Sequence, residues 1–252
     1  MLKLTKIILV LVIVLSSKVL PQAFGFGCFG FVGGYAGYSY QKYEPGTLNN
    51  AINNFNYAIS NGTVKVISDF GTAQGYRVGI NFFRAKFSGV FISLKGFYES
   101  LDENQSYSYL YNNDRISSEL DLKLRSWNVG IDFGIPINNL ISWKIIDGTI
   151  HFNGARITDK RDLRSSQNDI EYKNDAPEIG YSLSTGFVLN IIENFVSLEG
   201  SAGYQFFKIK KMISNDGGEF NLGSDNTEVL EGDFIKAGGL NAVIQLNVGF
   251  PL

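Results

Sequence analysis

Apolar residues recur at every second position in this chain, and that period decides what it can fold into. The clearest stretch is Gly238–Phe250. There Leu240, Ala242, Ile244, Leu246, Val248 and Phe250 alternate with Asn241, Val243, Gln245, Asn247 and Gly249. A strand turns successive side chains to opposite faces, so this stretch has one greasy face and one polar, small-residue face. A soluble half-buried strand reads the same way. The constraint comes from recurrence, with small and polar residues standing where a soluble core should be.

Seven earlier segments carry the same two faces. They are Phe29–Gln41, Ala73–Phe83, Phe87–Glu99, Trp127–Ile135, about Trp143–Thr158, Ile179–Leu189 and Phe195–Ile209. In the segment Ala73–Phe83, Tyr76, Val78, Ile80 and Phe82 oppose Gly75, Arg77, Gly79 and Asn81. In the segment Ile179–Leu189, Tyr181, Leu183, Thr185 and Phe187 oppose only Gly180, Ser182, Ser184 and Gly186. Ahead of Trp127, Leu120, Leu122 and Leu124 fall on the opposite parity, and a β-bulge near Arg125–Ser126 is expected to account for the slip.

The connections alternate in length. Long polar ones run over Lys42–Thr72, Ser100–Glu119, Asp159–Glu178 and Lys210–Gly232; short ones over Arg84–Lys86, Pro136–Ser142 and Asn190–Asn194. In the first long connection Leu48, Ile52, Phe55 and Ile59 have helical spacing, among asparagines that suit a flexible loop equally well. Tyr107, Tyr109 and Tyr111 alternate, so the strands flanking the second can run on.

Met1 to about Ala23 reads as a secretory signal peptide, with Lys3 and Lys6 ahead of the apolar run Ile7–Leu15. That run is too short to span a bilayer. Cleavage after Ala23 or after Ser17 both fit, and the apolar run ends too early for a lipoprotein cut at Cys28. No other segment approaches the roughly 20 apolar residues of a transmembrane helix. A chain of this kind enters a membrane only as a closed barrel, which satisfies every backbone hydrogen bond.

Composition narrows the function. The formal charge is −2. Without Lys3, Lys6 and Lys18 the mature chain stands at about −5, which argues against a nucleic-acid partner. Cys28 is the sole cysteine and His151 the sole histidine, so no disulfide, thiolate cluster or histidine metal site is expected, and no cofactor. The acids Asp216, Glu219, Asp225 and Glu228 read as solvated loop charge.

An even number of two-faced strands, with long and short connections alternating, resembles the OmpA/OmpX-like family of small outer-membrane barrels. The resemblance covers about Phe26 to Phe250. It includes the C-terminal run Ile244, Leu246, Val248, Phe250 that marks such chains for insertion, although Pro251 and Leu252 follow here. It implies an all-β, closed, antiparallel up-and-down transmembrane barrel over residues 24–252, most simply of eight strands. It also implies an outer-membrane location with both termini periplasmic. The surroundings would be lipid, lipopolysaccharide and the barrel assembly machinery, and the protein a monomer. Tyr40, Phe83, Phe87, Tyr98, Trp127, Trp143, Tyr204 and Phe250 fit its interfacial girdles. The competing soluble form, a lipocalin-like barrel, would put the apolar rows inside.

Four charges fall on the expected interior: Arg77, Lys95, Asp132 and Glu199. Burial requires them to pair, as a structural network in a narrow lumen, or to line a selectivity ring. His151 also faces inward, without a neighbouring nucleophile; Ser182 and Ser184 face inward, but nothing in the sequence ties them to it. The expectation is a non-enzymatic barrel whose long loops contact an unidentified surface partner. The alternatives are a small pore and a lipid-modifying enzyme using His151.

Overall fold

The computed structural model describes residues 22–23, 33–60, 63–87, 89–111, 114–163, 166–192, 195–220, 222 and 232–249. Eight long strands alternate up and down: β1 (Gly33–Pro45), β2 (Thr72–Phe87), β3 (Val90–Tyr111), β4 (Asp114–Pro136), β5 (Ile141–Leu163), β6 (Glu178–Ile192), β7 (Val196–Phe206) and β8 (Ile235–Gly249). Every neighbouring pair is antiparallel, and β8 returns to β1 through pairs such as Gln245–Gly37 and Val248–Gly34, closing the barrel. Of the expected leader only Gln22–Ala23 is described, paired with Ala85 and Lys86. Cys28, Phe250 and the start of the first expected strand, residues 29–32, lie outside the described residues.

The barrel is apolar outside and polar inside. Trp127 is 68% exposed, Leu183 58% and Leu240 60%; around them Tyr76, Val129, Ile131, Ile150, Phe187, Ile244 and Leu246 are exposed too. On the other parity Ser39, Arg77, Lys95, Glu99, Asn128, Asp132, Asp147, His151, Ser182, Glu199 and Gln245 are buried. This is the reverse of a soluble lipocalin-like barrel, whose apolar rows would be hidden. Glycine lets the inner side chains lie flat. A Cβ on Gly79 would collide with the ring of Tyr35 from the next strand.

Two expectations about backbone irregularity are corrected. No bulge interrupts Arg125–Ser126, because the β3–β4 register runs without a shift from Phe91–Gly134 to Tyr111–Asp114. Leu120, Leu122 and Leu124 point inward together with Ser126 and Asn128. What changes is the chemistry of the inner face. Nor is Arg84–Lys86 a turn: β2 continues to Phe87, which pairs with Val90, and Gly89 just ahead of β3 takes φ 83°. Bulges fall elsewhere, among them Phe82 in β2 and Ile145 in β5, with further register shifts in β8 and at the start of β7.

Beyond the belt, the long connections build a crown instead of open loops. Strands β3, β4 and β5 run on well past the aromatic residues, and Ser166–Asn174 folds back along β5 to pair with Met212–Ser214. Here the inward residues are apolar. Leu48, Ile52, Leu120, Leu122, Ile157, Ile209, Phe234 and Ile235 form a core that excludes solvent. Helix α1 (Thr47–Ala58) covers it. Its face Leu48, Ala51 and Ile52 is buried, and Phe55 packs edge-on against Tyr107 at 5.5 Å. Gly46 and Thr47 donate their N–H groups to Phe234 and Asp233, supplying acceptors that no capping side chain gives. Asn49 and Asn56, two turns apart, each exchange two hydrogen bonds of 2.9–3.0 Å with the backbones of Phe70 and Ile67.

Candidate functional site

The barrel interior at the depth of the belt is a cluster of ion pairs. Bulging β5 at Ile145 turns Lys144 inward, although its parity with Ile146 places it outside. Its Nζ lies 2.8 Å from Asp147 and 3.7 Å from Asp132, and it also contacts Glu199. Lys95 reaches the same acids, 2.8 Å from Asp132 and 2.7 Å from Asp147. Two lysines thus hold three carboxylates. Arg77 stands apart from this group. It pairs with Glu99 at 2.8 Å, donates to Ser39 at 3.1 Å and lies 4.4 Å from the centre of the Phe97 ring. Arg84, turned inward by the bulge at Phe82, stacks on Phe91 at 5.1 Å.

The four sequence-derived interior residues therefore fall into two groups. Lys95, Asp132 and Glu199 join one cluster, and Arg77 belongs to another. Lys144 and Arg84 escaped the sequence reading because a bulge inverts parity beside each, after Lys144 at Ile145 and before Arg84 at Phe82. Glu99 and Asp147 had the correct parity and were legible as inward, without being recognised as partners. At the depth of the belt, Arg77, Arg84, Lys95 and Lys144 match Glu99, Asp132, Asp147 and Glu199 in number, while Asp121 and Asp159 are buried higher, in the crown. That balance is what burial in low dielectric demands.

His151 is 1% exposed, and its Nε2 lies 2.8 Å from Ser182 Oγ. The β5–β6 register pairs Thr149 with Ser182 and His151 with Gly180, so the contact is diagonal. No local motif announces it, because the two residues are 31 apart and joined only through the register. A serine hydroxyl next to an imidazole is the first half of a nucleophilic site. The second half, an acid orienting the other ring nitrogen, is missing: no described side chain bonds His151 Nδ1. Directly above, a cavity of about 10 Å³ separates Gln41, Glu99 and Asn153 from Leu101, Leu124 and Phe207. It has room for about one water molecule. Among the described residues no group of His, Cys, Asp and Glu could hold a metal ion. Asp216 sits in a tight turn bonded to Ser214, while Asp225 and Glu228 lie outside the described residues.

The outer face carries the aromatic girdle. Tyr98 packs on Trp127 at 5.1 Å, and Phe206 on Tyr181 and Tyr204 at 4.9 and 4.7 Å, at the level where the crown begins. Ile244, Leu246 and Val248 of the C-terminal run face outward and are exposed.

A closed ladder of eight antiparallel strands, with an apolar belt outside and balanced charge inside, defines the class: a small eight-stranded transmembrane β-barrel of the outer-membrane type. No family model matches the chain, and no curated protein matches its sequence. Solved structures of similar shape include Ail, the attachment invasion locus protein of Yersinia pestis, at TM-score 0.39 and 8% identity over 86% of this chain and 97% of that one. Neisserial surface protein A (NspA) gives 0.39 and 15% over 86% and 96%. The outer membrane protease OmpT from Escherichia coli gives 0.39 and 8% over 93% and 99%. Likeness at this level carries no function across, and the class rests on this chain's own ladder and belt.

Proposed function

We propose that the protein is an integral outer-membrane barrel without catalytic activity, closed by its own side chains, that meets its surroundings through the crown. The observation that carries this reading is a double closure. The Lys95–Lys144 cluster fills the barrel at mid-belt, and the apolar core under α1 fills it above. Eight strands leave an interior just wide enough for side chains. Gly33 and Gly249 pair at the end bearing the short turns, so both ends of the barrel chain face the periplasm and the crown faces outward. In this reading lipid and lipopolysaccharide surround the belt. Arg125, exposed two residues above Trp127, suits anionic headgroups there. The barrel assembly machinery inserts a single copy, and a surface ligand binds the crown. Binding residues concentrate on such scaffold-borne loops.

One observation favours a second reading. The His151–Ser182 contact could serve a lipid-modifying enzyme. Its burial and the lack of an orienting acid argue against that. Replacing His151 with Gln keeps a polar interior group and removes the base. Lipid A acylation in membranes carrying the protein should be unchanged. Its loss, in a barrel that still shifts on unboiled gels, would overturn the assignment.

A further inference from the structure

The membrane-facing apolar surface does not stop at the strand ends. In the β4–β5 turn Ile137 and Leu140 are exposed, and at the end of β6 and just before β7 Ile191, Ile192 and Phe195 are. Such residues are costly in water when grouped. We propose that these two turns lie within the inner interface of the membrane, covered by lipid of the inner leaflet, so that the barrel is immersed further on its β4–β7 side than at the β2–β3 turn. The inference rests on the transmembrane class.

Height gives the first reason. Eight residues separate Trp127 from Ile135, the ladder partner of Trp143. At about 3.3 Å per residue and a tilt of about 40°, that spans roughly 20 Å. The apolar band of such barrels is about 25 Å tall. Taking the band on to Ile137 and Leu140 supplies the difference.

Trp143 gives the second. Tryptophan marks an interface because its N–H seeks water or a headgroup. Here the indole N–H donates to Thr185 Oγ at 3.1 Å, within the protein. Trp143 therefore has no need of the interface, and the boundary can lie below it.

The turn backbones give the third. Hydrocarbon tolerates a polar backbone only where the protein itself satisfies it. Asn138 Oδ1 accepts from the N–H groups of Leu140 and Ile141 at 2.9 and 2.8 Å. Ile137 N–H donates to Ile141 O at 2.9 Å, and Asn190 N–H to Leu140 O at 2.7 Å, tying the two turns together. Asn190 Nδ2 donates to Asn139 O at 3.2 Å. Phe195 N–H donates to Ile192 O at 3.0 Å. Pro136–Ser142 carries no charge; the other turn has Glu193, outside the described residues. The β2–β3 reversal, by contrast, follows Lys86 in the sequence, while Arg84 points into the barrel.

The test is nitroxide depth measurement on single-cysteine variants in a Cys28→Ser background, folded into phosphatidylcholine vesicles. Leu140→Cys and Ile191→Cys report the turns, with Asn139→Cys in reserve should Leu140→Cys fail to fold. Ile244→Cys is the lipid control and Tyr57→Cys the aqueous one. Collision of the turn labels with oxygen, relative to a water-soluble nickel chelate, should exceed that of Tyr57→Cys several-fold and stay at or below that of Ile244→Cys. A ratio equal to that of Tyr57→Cys would place the turns in water and overturn the proposal. So would turn labels protected from both reagents, which would mean that protein covers them. An aqueous reading at Ile244→Cys would instead remove the membrane class itself.

Discussion

Leu124 and Ser126 are consecutive inward residues of one strand, and the chemistry of the barrel interior changes between them. Below Ser126 the interior is charged and hydrogen-bonded while the exterior is greasy. Above Leu124 the arrangement is that of a soluble protein, with leucine and isoleucine inside and Arg125, Arg156 and Lys173 outside. The change of solvent outside explains it. Lipid accepts apolar residues and water accepts charged ones, so the same backbone ladder carries two opposite patterns.

The crown should therefore behave as a water-soluble core. Leu122 is fully buried within it. Leu122→Ala should cost about 2–5 kcal/mol and raise protease cleavage of the residues 100–125 segment. Urea unfolding and limited proteolysis of the folded protein in vesicles measure both. An unchanged midpoint with unchanged cleavage would mean the core contributes nothing.

Removing one lysine from the interior cluster should be severe. Lys144→Met leaves Asp147, Asp132 and Glu199 with Lys95 alone. Breaking a buried pair from one side costs about 3–5 kcal/mol. Adding Glu199→Gln should recover part of that loss. A single variant as stable as the parent would show that the cluster is hydrated rather than buried.

The two faces of β8 give opposite responses to arginine. Ile244 is exposed on the belt, and Ile244→Arg should cost about 2–4 kcal/mol near mid-membrane. Gln245→Arg places its charge in the polar interior. If Ile244→Arg inserts and folds like the parent while Gln245→Arg fails on grounds of charge, the faces are reversed.

Acidity should act on the crown through Glu103. Its carboxylate accepts from Tyr43 Oη at 2.6 Å and Thr72 N–H at 2.8 Å. Burial pushes its pKa above the ordinary carboxylate value, and these hydrogen bonds oppose the rise. The folded state then holds its proton to higher pH than the unfolded chain. Stability from this group is greatest below the unfolded pKa and falls as pH rises through the folded one. Tyr43→Phe removes a donor to the anion and should raise the pKa further, which carboxyl-carbon NMR titration reads directly. A lowered value would contradict the account.

The strands were legible because period two survives any detail of packing, and the alternating connection lengths ordered them. The rest depended on features a string of residues does not encode. A parity slip at Leu124–Trp127 and a switch of solvent produce the same string, and the structure shows the switch. Lys144 and Arg84 were hidden by bulges at Ile145 and Phe82. Helix α1 looked equally like a loop, because its asparagines weaken a helix in isolation. Two of them instead bind the backbone of the following segment. The contact between His151 and Ser182 required the β5–β6 register, which no local motif supplies.

The central claim is that the barrel is closed by its own side chains, and conductance of the purified, folded protein in a planar bilayer tests it most directly. The account predicts a bilayer that stays at baseline, without unitary steps, because the Lys95–Lys144 cluster and the core beneath α1 both block the path. Resolved, reproducible steps whose ion selectivity changes in Lys144→Met would contradict it and make the charged interior a pore.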